Sequence, residues 1–239
     1  MPTPLLTQLI KHLNEVTEDV VLNNNFLAAM KEGRVSQDAW RTFAIQRYLS
    51  TTVFEDTLRA AIRGAQKIED KQLEKALQEN LNDETGIGKD GVQDLAHAHR
   101  TWRRDFYLAL GVLDEQAKNT KPFPGTKSYM DAMAKLTREG DALACAGALL
   151  AVERLIPPEF ERLQKGRDAA FHDAFANNPK ARLYIDDHII HDATSHYPDL
   201  LVALEKHLDD EPSRQKIMGG IKAIHVTRKA FFEGMNALI

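Results

Sequence analysis

Apolar residues recur at helical spacing along almost the whole chain, while alternating β-branched runs and Asn-Gly hairpin signals are missing. A chain with no strands to pair must bury its apolar stripes helix against helix, so an all-α, multi-helix bundle is expected. The stripes predict helices over 4–16, 24–32, 36–67, 70–84, 94–110, 126–138, 140–165, 180–208 and 212–237. Ser36 and Asp70 stand at N-cap positions, Gly86 and Gly88 interrupt the chain after Glu84, and residues 118–125, Lys-Asn-Thr-Lys-Pro-Phe-Pro-Gly, read as a loop. No Ser/Gly/Pro-rich linker or composition break divides the 239 residues, and a single domain over 1–239 is expected.

Composition narrows the function. A net charge of -4 with acidic and basic residues interspersed gives no electrostatic reason to expect nucleic acid. The longest nearly uninterrupted apolar run, Ala142 to Val152, is too short to span a bilayer and reads as a buried core helix. Met-Pro-Thr-Pro-Leu-Leu-Thr at the start has no basic segment leading into an apolar one, so a cytoplasmic protein is expected. The single cysteine, Cys145, excludes an intrachain disulfide and a thiolate-rich zinc site; any metal must be held by nitrogen and oxygen.

Ionisable residues on core-facing stripes are costly unless paired, hydrogen-bonded or metal-bound, and four predicted helices carry them. Leu73, Leu77 and Leu81 form a stripe that continues onto Glu84, whereas Glu79 and Asp83 fall off it and read as surface residues. In the next helix Leu95, Trp102, Phe106 and Leu110 define the buried face; His99 lies on it and His97 points away. Glu153 has Leu149, Leu150 and Ile156 as same-face neighbours, which calls for a metal or for an arginine from another helix, since adjacent Arg154 points elsewhere. His188, Asp192 and His196 are spaced by four and share one flank, with His196 on the buried face, His188 and Asp192 at its margin and His191 turned to the surface. Each feature alone also fits a hydrogen-bonded core residue or a solvated helix flank. Together, carboxylates and imidazoles facing inward from different helices are the ingredients of di-iron and di-manganese carboxylate sites.

Three segments then carry a family resemblance: Asn80-Leu-Asn-Asp-Glu84 with its Gly-rich turn and His99 through Phe106 to Gly111; Glu153-Arg-Leu-Ile-Pro157; and the His188 helix. Over nearly its whole length the chain resembles the haem-oxygenase-like all-α proteins. These include thiaminase II (TenA), the pyrroloquinoline quinone biosynthesis oxidase and, closest in motif, the haem-oxygenase-like di-metal oxidases. The resemblance implies a dimer with two non-haem iron ions (or iron and manganese) and O2 as co-substrate, oxidising a small organic molecule. Glu84, His99, Glu153, His188, Asp192 and His196 are the implied ligands. Glu84, His99 and Glu153 would serve mainly one metal, the other three would complete the pair, one glutamate would bridge, and Glu84 and Glu153 would both take part in catalysis. Arg47, Tyr48, Phe43, Trp102 and Tyr184 are candidates to line the substrate cavity, with Arg47 pointing to an anionic substrate or to a structural ion pair.

The family's last two ligands are spaced Asp-x-x-His, which falls on Ser195, whereas this chain has His196. Pro198 can rephase the turn before it, because it cannot donate to residue 194. Against thiaminase chemistry, Gln46 is followed by Arg47 where those enzymes have Gln-Asp, and Gly147 stands where their nucleophilic cysteine belongs. Cys145, two positions away, reads as a small core residue. A metal-free TenA-like or quinone-cofactor-type enzyme, and a non-catalytic binding protein that keeps the fold, are the alternatives.

Overall fold

Side-chain caps set where the helices begin. In the computed structural model, which describes residues 3–239, Thr3 caps α1 (Pro4–Thr17), Asn24 caps α2 (Asn25–Lys31) and Ser36 caps α3 (Gln37–Thr51). α4 (Phe54–Lys67) follows, and Asp70 caps α5 (Lys71–Thr85), which Gly86 ends at a φ of 72° that only glycine adopts freely. The chain continues through α6 (His99–Ala109), α7 (Asp114–Asn119), α8 (Pro124–Glu139) and α9 (Ala142–Ala170), then α10 (His172–Ala176), α11 (Pro179–His191), α12 (Tyr197–Glu205) and α13 (Glu211–Met235). No strand occurs among the described residues, only an isolated bridge between Ile87 and Gln93.

Three predicted helices are interrupted, each for a local chemical reason. The helix expected over 36–67 breaks at Thr52 and Val53. There the hydroxyls of Thr51 and Thr52 bond back to the carbonyls of Tyr48 and Leu49, competing with the helical ladder. The helix expected over 94–110 starts only at His99; Asp94 caps a 3-10 turn over Leu95–His97 through the Ala96 amide, and Leu95 is exposed rather than buried. The helix expected over 180–208 contains a π turn, Asp192–His196, between α11 and α12. The expected loop over 118–125 shrinks to 120–123, because α7 takes its start and Pro124 opens α8. Gln46 fixes what remains, accepting from the Phe123 amide and donating to the Lys121 carbonyl.

α9 is the central helix, packed against by α13, α2, α4 and α11. Glycines set its approach to α13: a Cβ on Gly147 would lie 2.3 Å from the Ile217 carbonyl oxygen, and one on Gly220 would lie 2.0 Å from that of Ala144. A cysteine at 147, as thiaminase chemistry requires, therefore has no space. Cys145 is fully buried, its thiol directed at the Leu136 carbonyl. Prolines 157 and 158 lie inside α9 and leave the carbonyls of Glu153 and Arg154 without helical donors. No helix among the described residues is long and apolar enough to cross a membrane. The core converges where the end of α5, the start of α6, the middle of α9 and the α11 π turn meet.

Candidate metal centre

The apolar stripes bring six ionisable side chains to that point, all almost fully buried: Glu84, His99, Glu153, His188, Asp192 and His196. His188 and Asp192 are as deep as His196 rather than marginal, because α6 and α9 both pack over α11. The six donors form two groups, Glu84 with His99 and His188, and Glu153 with Asp192 and His196; within each, one donor atom per residue lies within 4.8 Å of the others. This partition differs from the expected one, since His188 joins Glu84 and His99 while Glu153 joins the π turn. The groups are neighbours, with the His99 and His196 rings 6.2 Å apart.

In the first group His99 Nδ1 is 3.4 Å from Glu84 Oε1, and the His99 and His188 rings stand 4.2 Å apart. Trp102 covers the other side of His99 at 4.9 Å and is anchored by its own donation to the Ala96 carbonyl. In the second group His196 Nδ1 faces Asp192 Oδ1 at 3.2 Å and Glu153 Oε2 at 3.6 Å. Asn80 donates to Glu153 Oε1 at 2.7 Å, so the partner of Glu153 in α5 is an amide rather than an arginine; Arg154 turns away to Asn14.

The π turn explains how His196 arrives. Its bonds run from residue i+5 to residue i, as from the Tyr197 amide to the Asp192 carbonyl, and this absorbs one surplus residue. His196 thereby reaches the position that residue 195 would take in an uninterrupted α-helix. Pro198 lies immediately beyond and cannot donate to Thr194, which removes one bond of the competing α ladder.

Charge in so small a volume perturbs several of these groups. Burial, followed by the charge of Glu153, pushes the Asp192 carboxyl up to about 7. Burial and the neighbouring His99 and His196 hold His188 well below the usual imidazole range. Burial works against a charged His196, but the carboxylates of Asp192, Asp83 and Glu153 around it outweigh that and raise the ring well above its ordinary value. Glu84 Oε2, His99 Nδ1, His188 Nδ1 and both oxygens of Asp192 have no hydrogen-bond partner. Buried atoms of this kind ordinarily are satisfied, and leaving one unpaired costs about 1–3 kcal/mol. Hard carboxylate oxygens and borderline imidazoles, aimed at common points, suit iron or manganese.

Beside the first group lies a narrow cavity of about 40 Å³, bordered by Glu84 and His188, by Arg47, Arg103 and Arg228, and by Tyr184, Phe160, Val152 and Ile156. Of the expected lining residues Arg47 and Tyr184 reach it. Tyr48 instead meets Tyr107 edge to face, Trp102 lies against His99, and Phe43 packs between Phe26, Trp40 and Phe231. Arg47 and Arg228 each donate to a separate oxygen of the fully buried Glu159, so Arg47 is an ion-paired residue as well as a lining one. Arg103 pairs loosely with Glu84, its Nη1 lying 3.7 Å from Oε2, beyond hydrogen-bond reach.

Asp83 and His191, expected on the surface, are half-exposed, but they are engaged with the site rather than simply solvated. Each side chain is only 38–39% exposed, and Asp83 Oδ2 accepts from His191 Nε2 at 3.0 Å and from His196 Nε2 at 2.9 Å. Asp83 lies off the apolar stripe because it faces the π turn, a neighbour that α-helical spacing could not supply. Glu159, Arg103 and Arg228 were missed as well, their partners lying far away in sequence.

A family model described as "Iron-containing redox enzyme" matches residues 41–225. No curated protein matches the chain in sequence. Among solved structures, a CADD-like protein of unknown function from Nostoc punctiforme superposes with a TM-score of 0.72 at 20% identity, covering 98% of each chain. A TenA homologue from Pseudomonas syringae pv. tomato gives 0.79 at 12% identity, covering 99% of this chain and 94% of its own. A domain of unknown function with a haem-oxygenase-like fold from Shewanella denitrificans gives 0.71 at 14% identity, covering 97% and 92%. At these identities the likeness is one of fold.

Proposed function

The chain belongs to the iron-containing redox enzymes and has the haem-oxygenase-like fold, and from that premise we propose that it is a non-haem di-metal oxidase or oxygenase that uses O2 to oxidise a small organic acid. The observation that carries this reading is the convergence of buried donors without hydrogen-bond partners: Glu84 Oε2, His99 Nδ1, His188 Nδ1 and both Asp192 oxygens. A metal-free acid-base role for the same residues would leave these atoms unpaired at a cost of about 1–3 kcal/mol each.

Glu84, His99 and His188 would hold one ion and Glu153, Asp192 and His196 the other, three protein donors apiece, with further positions open to small ligands. Two ferrous ions, when bound, supply the electrons that reduce O2 next to the cavity. The chain's own residues do the rest. Asn80 fixes the rotation of Glu153 by donating to Oε1, which leaves Oε2 directed at the centre. Trp102 and Phe160 cover His99 and His188 and keep bulk water from them. Three guanidiniums face the cavity, and outside the metal ligands Glu159 is the carboxylate that pairs with two of them, so an anionic group on the substrate would help restore the balance. Arg103 is placed to take a carboxylate in its fork, with the apolar body of the substrate against Val152, Ile156 and Phe160.

The test is anaerobic loading with ferrous iron, followed by elemental analysis and O2-uptake measurements on wild type and Glu153→Ala. Close to two equivalents per chain and uptake lost in the variant are expected. Fewer than about half an equivalent of any transition metal, or equally slow uptake by both proteins, would sink the di-metal reading.

A further inference from the structure

The buried pair of sites needs an entry route for cations, and the substrate cavity is a poor one. Arg47, Arg103 and Arg228 border it, and their like charge opposes a dication. On the α5 side, an open cleft is bordered by Glu79, Asp83, Lys89, His191 and Ser195. Asp83, His191 and His196 form a third convergent group there, separate in its donor atoms from the two inside.

The geometry of this group is that of a cation position. Asp83 Oδ2 stands 3.0 Å from His191 Nε2 and 2.9 Å from His196 Nε2, with the two rings nearly perpendicular and 4.7 Å apart. A divalent cation at their meeting point would take the place of the two hydrogen bonds that now hold the three side chains together. Two imidazoles and one carboxylate on one face, with the other positions open to water, suit a divalent transition metal. The π turn creates the pair, since His191 and His196 are five residues apart and its i to i+5 bonding stacks such residues on one side. His196 has its other nitrogen, Nδ1, on the buried carboxylates of Asp192 and Glu153.

We propose that Asp83, His191 and the outer nitrogen of His196 form a solvent-facing uptake site for divalent transition-metal ions, from which an ion passes across the His196 ring to the Glu153–Asp192 position. The inference rests on the di-metal reading for its destination, but not for the outer site itself. Cations thus enter from the Asp83 face and organic anions from the arginine face. Once the inner position is filled, the Nε2–H of His196 returns to Asp83, and the outer group, reduced to two free donors, releases its hold.

The experiment is stopped-flow cobalt(II) loading of metal-free protein, following the cobalt ligand-field absorption, with bound cobalt counted after desalting. Wild type, His191→Ala, Asp192→Ala and the double variant are compared, with Glu79→Gln as a charge control that leaves the three donors intact. His191→Ala is expected to load about tenfold more slowly or worse, with its final cobalt content and circular dichroism unchanged. Asp192→Ala is expected to trap cobalt at the outer site, and the double variant to lose that equivalent. Loading of His191→Ala at the wild-type rate overturns the proposal. If the di-metal reading alone fails, the signature is different: wild type holds a single cobalt that His191→Ala removes.

Discussion

Replacing Glu159 with glutamine tests how the cationic wall of the cavity is held. Glu159 is fully buried, and each of its oxygens accepts from one buried guanidinium, Nη1 of Arg47 or Nη2 of Arg228. Glutamine has the same shape but puts an NH2 group where one arginine needs an acceptor, and it removes the only negative charge the two cations share. Breaking a buried ion pair by deleting one partner costs about 3–5 kcal/mol, most of it from the charge left behind. In a domain of this length about 2–4 °C is lost per kcal/mol, so a fall in Tm of roughly 6–20 °C is expected. Equilibrium urea unfolding gives the free energy and calorimetry the Tm, with Arg154→Ala as a control whose contact to Asn14 is exposed. The triple variant Glu159→Leu, Arg47→Met, Arg228→Met should recover much of the loss, because no charge is left unpaired. A loss below about 1 kcal/mol in Glu159→Gln would refute the claim that this carboxylate neutralises the wall.

Gly147→Ala should cost at least about 1–3 kcal/mol in urea unfolding, since its Cβ would meet the Ile217 carbonyl 2.3 Å away and push α13 from α9. Asp70→Ala should cost about 1 kcal/mol or more, because the carboxylate caps α5 and also binds Lys206 and His207. Burial raises the Asp70 pKa, but the bonds to Lys206, His207 and the Leu73 amide outweigh it and leave it below the ordinary value of 3.8. Its contribution is therefore complete above the unfolded pKa and lost as pH falls through the lower folded one. The stabilities of wild type and variant, measured by denaturation from neutral pH downward, should converge only at that acidic end. Burial pushes the Cys145 thiol up to about 12, so a disulfide reagent should leave the native protein unlabelled and modify one thiol per chain on unfolding.

Much of this protein was legible in the order of its residues. Helical spacing without strand signals fixes an all-α bundle, and the same spacing separates His99 from His97 and singles out Glu153, because a stripe of leucines states which way a helix faces. Gly147 and Cys145 argue against cysteine chemistry from position alone. Other features depend on local competition with the helix backbone or on encounters between distant segments. The hydroxyls of Thr51 and Thr52 end a helix that periodicity would continue. The π turn arises in a segment whose α ladder already lacks the Pro198 donor, and only its register shows that His196 reaches Glu153 and that His191 meets Asp83. The grouping of the six donors brings Glu84 to His188, far along the chain, and the union of Arg47 and Arg228 on Glu159 joins residues 112 and 69 positions apart. One-dimensional spacing tells a side chain to face the core; which partner it finds there is decided by how the helices pack.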